Sequence, residues 1–302
     1  VPLEAGGEVS MGSTLSGLQR SDQILTWEHR HQVCNGKWTS RDYDFKKPDT
    51  DLTASMKTVV DLEGTDALEH YEYPGRYAES SDGDTRVRRR LESRESMFNL
   101  VRASSMCRTY GPGFWFKIQD HHNPAEVGKS YVVRSIRHKA ALPGAYLSGA
   151  QTEKFDYTNE FEAFPKEIDY RPPVRTPRPR MYGAQTAVVV GPKGEEIYAD
   201  EYGRIKVQFH WDRDGQADEN SSCWMRVAYS MAGRQWGGLF TPRIGHEVMV
   251  EFEEGDPDRP YVTGCVYNEN NRPPYAPDKM GTVTCLKTNS SKGGGGFNEL
   301  RI

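Results

Sequence analysis

The chain has 302 residues, with 39 Lys and Arg against 43 Asp and Glu, a formal net charge of −4. That balance argues against a general nucleic-acid binder, whose affinity rests on basic patches that neutralise phosphates. A mean hydropathy of −0.78 and the lack of any apolar run of about 18 residues argue against a membrane-spanning helix.

The length predicts two domains. The opening VPLEAGG has neither a basic nor an apolar leader region, so no secretory signal is expected there. The five cysteines (Cys34, Cys107, Cys223, Cys265, Cys285) lack CxxC spacing and read as reduced thiols of a chain folded in the cytoplasm.

Up to about Pro165 the chain mixes strand-like runs with one helix. Phe114 to Ile118, Tyr131 to His138 and Tyr157 to Phe164 are rich in aromatic and β-branched residues and bounded by turn formers. Val87, Leu91, Phe98 and Val101 share one face of a 3.6-residue period. They predict a helix from about Asp84 to Ser104, with Asp82 or Asp84 as cap. Arg171 to Arg180 holds four prolines and reads as an extended linker rather than a recognition motif.

A compact all-β pattern follows. Ala187 to Val190 forms a short apolar run. RIKVQF alternates Ile205, Val207 and Phe209 with polar residues. CWMRVAY alternates Cys223, Met225, Val227 and Tyr229 with Trp224, Arg226 and Ala228. HEVMVEF presents Val248, Val250 and Phe252, and YVTGCVY completes the set. Five short strands of period two point to a small closed barrel, best matched by the five-stranded OB-fold. Near the end, KGGGGFNELRI reads as a turn into a further strand, as though the chain were cut there.

Candidate chemistry is sparse. The pair His121–His122 is a conceivable metal donor, but neighbouring strand residues point to opposite faces, and a solvated loop is the preferred reading. Cys107 and Cys223 fall in apolar patterns that make thiols inert. Glu253, Glu254, Asp256 and Asp258 offer a glycosidase-like carboxylate pair centred on Glu254. Their Gly-Pro context predicts a solvated turn instead. Arg86, Arg88, Arg89, Arg90 and Arg94, interleaved with Glu92 and Glu95, read as a self-paired polar helix face or, alternatively, as a surface for an anionic partner. Trp211, Trp224 and Trp236 suit either a stacking platform for sugar or single-stranded nucleic acid, or a subunit interface. No residue is assigned a catalytic, cofactor or metal role.

Longer motifs then decide. EEIYADEYGRIKVQFHWDRDG (Glu195 to Gly215), the stretch from Ser221 to Asn268, and SSKGGGGFNELRI (Ser290 to Ile302) resemble the VgrG spike family of bacterial type VI secretion. RDYDFKKPDTDL, ALEHYEYPGRYA, GKSYVVRSIRHKA and the block around FEAFPKEIDYRPP extend the resemblance over essentially the whole chain.

The resemblance implies a mainly β architecture. Residues 1–165 would be the later part of a phage tail hub-like β-barrel domain with at least one helix, and residues 166–180 a Pro-rich linker. Residues 181–270 would be the OB-fold needle base, and residues 271–302 a connector and the start of a β-helical needle, with truncation at both ends. It also implies a non-catalytic homotrimer docking on the Hcp tube and baseplate, carrying a PAAR tip protein and effectors. Such a subunit is assembled in the cytoplasm and exported by type VI secretion, with no nucleic acid, cofactor or stable membrane insertion. The alternative is an OB-type binding module for oligosaccharide or single strands; a cell-wall hydrolase using Glu254 ranks third.

In the motif YGRIKVQFHWD, Gly203 is expected to relax a turn, Lys206 and His210 to face outward, and Arg204 to pair with Asp212.

Overall fold

The computed structural model describes residues 3–11, 23–60, 63–141 and 156–302. Val1 and Pro2, part of the opening on which the leader expectation rests, lie outside the described residues. The chain divides into two compact units, Val1–Arg175 and Thr176–Ile302.

The strands of the first unit are β1 (Leu3–Met11), β2 (Gln23–His31), β3 (Lys37–Asp42), β4 (Leu52–Lys57), β5 (Glu69–Glu72), β6 (Asn99–Ser105), β7 (Phe114–Asp120), β8 (Ser130–Ala141) and β9 (Asp156–Pro165). Between β5 and β6 lies the helix α1 (Ser80–Glu95). Six strands close into a barrel in the order β1-β2-β6-β9-β8-β7. β1 runs parallel to both neighbours, and the other pairs are antiparallel. Closure removes the free edges that would otherwise recruit other strands.

Period-two alternation fills the lumen. Val101 and Ala103 of β6, Phe116 and Ile118 of β7, Tyr131 and Val133 of β8, and Phe161 and Ala163 of β9 form one buried cluster. Leu100, Val132 and Phe164 form a second cluster with Met97 and Trp115, so both faces of these strands are covered there. The three strands expected between Phe114 and Phe164 are β7, β8 and β9.

The helix is shorter and earlier than its spacing predicted. It ends at Glu95, and the neighbouring Glu79 makes no side-chain cap, so neither Asp82 nor Asp84 caps it. Met97 and Phe98 close a turn onto the carbonyls of Arg94 and Glu95. Phe98 therefore lies beyond the helix, and Val101 sits fully buried in the barrel strand β6. The 3.6-residue spacing runs through that turn by coincidence: pairing of β6 with β2 and β9 outcompetes one further turn of helix.

What the helix does keep is Val87 and Leu91, which pack with Trp38, Leu52, Ala54 and Tyr77 on the three-stranded sheet β4-β3-β5. The Pro-rich stretch begins on the same helix: Ser93 and Ser96 donate to the carbonyls of Pro172 and Arg171.

The second unit contains β10 (Gln185–Val190), β11 (Lys206–Phe209), β12 (Arg226–Val227), β13 (Ala232–Gly233), β14 (Trp236–Gly237), β15 (Glu247–Phe252), β16 (Pro260–Val266), β17 (Cys285–Asn289) and β18 (Phe297–Arg301). A five-stranded sheet runs β11-β10-β15-β16-β12. An antiparallel bridge between Ile205 and Met225 ties its two edges together. Ala187, Val189, Ile205, Val207, Met225, Val248, Val250 and Val262 fill its interior; of these, Ile205, Val207, Met225, Val248 and Val250 are where the alternation predicted, while Phe209, Val227 and Phe252 are only partly buried against the cluster.

Cys223 departs from that pattern, because it precedes the bridge and is exposed. All five cysteines are free thiols.

Strands β17 and β18 pair as a separate hairpin. Its turn is held to the rest of the unit by Arg243 donating to the Asn289 carbonyl at 2.7 Å and by a Lys292–Glu195 ion pair at 3.0 Å.

Candidate functional site

The acidic segment is a connecting turn between β15 and β16. Asp256 N donates to the Glu253 carbonyl and Arg259 N to the Asp256 carbonyl, both at 2.9 Å. Glu253 faces Arg259 at 3.8 Å, and Glu251 accepts from the Tyr261 hydroxyl at 3.3 Å. Asp256 is buried rather than solvated, because its carboxylate accepts the Asp258 N–H inside the turn. Glu254 is exposed with φ +53°. These acids stabilise a turn and its flanking pair; Glu254 and Glu251 border an open pocket shared with residues 180–184, where Glu251 is engaged by the Tyr261 hydroxyl and Glu254 stays exposed.

The histidine pair is not a solvated loop throughout. His121 is buried, while His122 stays outside with its Nδ1 2.9 Å from the Met11 sulfur. A single turn of 3-10 helix at Pro124–Glu126 folds the chain back and presses His121 against Trp27, ring centroids 5.6 Å apart. The Asn123 N–H donates to His121 Nδ1 at 2.9 Å.

Beside this pair, the buried Glu126 carboxylate faces His29 at 3.4 Å and Lys129 at 2.9 Å, and accepts from the Tyr131 hydroxyl. Those partners hold Glu126 below the usual carboxylate range despite its burial. Burial, reinforced by His122, lowers the His121 pKa. Among the described residues no set of three or more His, Cys, Asp or Glu side chains converges as metal ligands. The arrangement is a polar plug against the barrel wall, and sequence spacing gave no sign that His29 and Glu126 would join it.

The arginine run is divided among different tasks. Arg90 pairs with Glu72 at 3.3 Å, and Arg86 donates to the Gly75 carbonyl at 3.3 Å. Arg94 lies over the Trp38 ring at 6.0 Å. Glu92 takes Arg171 at 2.6 Å. Glu95, expected on the polar face, is buried instead, where it accepts from Thr58 Oγ1 at 2.6 Å and Val59 N at 2.9 Å. A carboxylate one helical turn from Leu91 shares the helix's inner side.

In the second unit, Gly203 adopts φ +69°, the left-handed turn expected of it. Arg204 pairs with Asp200 at 2.6 Å rather than with Asp212. Asp212 instead accepts the N–H groups of Asp214 and Gly215, each at 3.1 Å. Both acids are satisfied locally, within four residues of their donors, which outcompetes the longer pairing. Lys206 is half-buried, with its ammonium on the Trp224 ring, and His210 is exposed.

The three tryptophans do not share one role. Trp224 is half-buried between Tyr198 (4.9 Å) and Lys206 (5.1 Å), so its ring faces are occupied. Trp211 stacks on Phe209 at 5.0 Å and remains exposed. Trp236 is 67% exposed and its neighbour Leu239 is 72% exposed. On the terminal hairpin Leu286, Phe297 and Leu300 are also exposed. Exposed apolar residues of the second unit recur in the segment 231–240 and on β17–β18, with Tyr182, Trp211 and Tyr267 exposed elsewhere. Scattered exposed apolar residues are ordinary, but such concentrations mark contact surfaces.

Comparison with known proteins assigns these parts to a class. Residues 2–143 match the family model described as phage tail baseplate hub (GPD). Residues 186–267 match the type VI secretion system/phage-baseplate injector OB domain. The chain is therefore a tail-hub barrel followed by an injector OB barrel.

Type VI secretion system spike protein VgrG4b of Pseudomonas aeruginosa is 42% identical over 272 residues, 87% of this chain and 34% of that protein. Spike protein VgrG1b of the same organism is 39% identical over 291 residues, 96% of this chain and 39% of the relative. The chain belongs to the VgrG family of spike proteins. It spans little more than a third of the length of these two relatives. Among solved structures, the E. coli c3393 protein, a component of the type VI secretion system, matches with TM-score 0.48 and 19% identity, covering 86% of this chain and 49% of that one.

Proposed function

We propose that this chain is the hub and needle-base portion of a homotrimeric type VI spike subunit, acting by shape and assembly rather than by catalysis. The proposed division is a hub domain over residues 1–165, a linker over 166–180, an OB-fold needle base over 181–270 and the start of a β-helical needle over 271–302. The observation that carries the reading is the terminal hairpin. Two isolated strands are marginal in water, and these expose Leu286, Phe297 and Leu300, side chains that a threefold interlock would bury. The homology to spike proteins over most of the chain supports the same assignment.

In this reading the subunit docks on the Hcp tube and baseplate, carries a PAAR tip protein and effectors, and leaves the cell through the type VI apparatus. Closed barrels suit axial force, because they present no strand edge to fray. Light scattering on a size-exclusion column tests the assembly over a range of protein concentrations. A species at three times the chain mass of 34.3 kDa is expected. A strictly monomeric chain at every concentration would refute self-assembly of this portion.

A further inference from the structure

A cavity of about 190 Å³ lies in the first unit between α1, the segment joining β2 to β3, and the start of the Pro-rich stretch. Arg90 and Arg94 line it from the helix, Trp38 from β3, Asn35 from the joining segment, and Pro173 and Val174 from the far wall. Among the described residues no Asp or Glu lines it.

Two independent features leave donors in its lining without an acceptor. The Trp38 indole Nε1–H is buried and has no hydrogen-bond partner, a state that native interiors avoid. Arg94 makes its cation–π contact with the same indole but no ion pair among the described residues. Arg90 shares the wall and is only partly engaged, by Glu72 at 3.3 Å.

The His70 ring, 3.9 Å from Trp38, has its pKa lowered first by burial, with Glu72 opposing and Arg94 and Arg90 adding to the lowering. Burial raises the Cys34 thiol, so the remaining acidic group of the lining stays neutral.

We infer that this cavity is a binding site for a carboxylate, seated on the Arg94 and Arg90 guanidiniums and accepting the Trp38 indole N–H. A planar carboxylate suits guanidinium forks, and a single indole donor supplies a third bond. The volume is below that of pockets for drug-sized ligands, so the occupant is one acidic group with a short apolar stem. Pro173 and Val174 meet that stem. The chemistry is shared by free small acids and by acidic residues or the carboxy terminus of a polypeptide.

The test follows the six indole N–H resonances of the full ¹⁵N-labelled chain by NMR. Succinate, a short peptide ending in two glutamates, and sulfate are added in turn at matched ionic strength. Saturable movement of one indole resonance by the carboxylates, with Arg94→Gln weakening it by about tenfold and leaving the other resonances in place, supports the site. Asn35→Ala, in the joining segment that also lines the cavity, is a second variant that leaves the helix and its core contacts untouched. It should weaken binding while preserving the spectrum.

Peptide binding about tenfold tighter than succinate assigns the site to a polypeptide; equal affinity assigns it to free acids. No saturable shift at about 10 mM carboxylate overturns the proposal. So does a shift that Arg94→Gln leaves intact, or sulfate binding as tightly as the acids.

Discussion

Ile205 and Met225 exchange both of their main-chain hydrogen bonds, at 3.0 and 2.8 Å, and so join the two edges of the five-stranded sheet. Both side chains are buried in its interior. The pair is where the sheet of the second unit is drawn together. Met225→Ala would remove core volume at that seam while leaving the backbone bonds possible. Truncating a buried Met to Ala costs about 2–5 kcal/mol. Chemical denaturation should show the loss in the second unit, and a change below about 0.5 kcal/mol would mean the seam does not hold that unit together.

Much of the barrel pattern was legible in the sequence because its strands obey period two with apolar residues inside. Ile205, Val207, Val248 and Val250 all fell where alternation placed them. The sheet β4-β3-β5 escaped notice for the opposite reason. Its central strand buries Thr39, Ser40 and Asp42, polar residues that hide the alternation. Asp42 tolerates burial because the main-chain N–H groups of Tyr43, Arg76 and Tyr77 donate to it, two of them from 34 and 35 residues away. The plug of His29, His121 and Glu126 was hidden in the same way: its members meet only through β2 and β7 joining the same barrel. Arg204 chose Asp200 over Asp212 through turn geometry that composition does not encode.

Gly83 lies in the interior of α1 and is buried against Tyr77: a Cβ built on it would come within 2.7 Å of the ring. Tyr77 cannot easily retreat, since its hydroxyl donates to the carbonyls of Ser40 at 2.8 Å and Leu52 at 2.6 Å. Within a helix, Gly→Ala ordinarily gains about 1 kcal/mol. Here overpacking costing about 1–3 kcal/mol opposes that gain. Gly83→Ala is therefore expected to lower the unfolding midpoint. A raised midpoint would show that the helix shifts away from the sheet without cost.

Stability should fall on mild acidification. The folded pKa values of His70 and His121 are lowered by burial. The unfolded chain, with histidines near their ordinary value of about 6.5, then binds protons that the folded chain does not. The sign is fixed: stability is fully present above about pH 6.5 and is lost as pH falls towards the folded pKa values. The slope is at most about 1.4 kcal/mol per pH unit for each histidine. Glu126, whose folded pKa is also lowered, adds a loss in the same direction at more acid pH. Urea midpoints measured between pH 7.5 and 5.5 should decline. His121→Asn, which keeps an acceptor for Asn123 N–H but cannot titrate in this range, should flatten the decline. An unchanged slope would remove His121 from the account.

The proposed three-chain assembly can be divided between two surfaces. Leu239 belongs to the exposed segment near β14, and Leu300 belongs to the terminal hairpin. An aspartate at either position is harmless on a free surface but unfavourable in a desolvated interface, where an unpaired charge keeps its full burial penalty. Hot-spot truncations cost about 2 kcal/mol or more, enough to move an association equilibrium by well over tenfold. If the hairpin provides the interlock, Leu300→Asp should carry the three-chain species to monomer at concentrations where Leu239→Asp leaves it assembled. The reverse order would place the interlock on the OB barrel, and equal effects would mean that one continuous interface includes both. Circular dichroism should be unchanged in each variant, because neither side chain contributes to a buried core cluster. Loss of assembly without loss of fold is the result that separates an interface residue from a structural one.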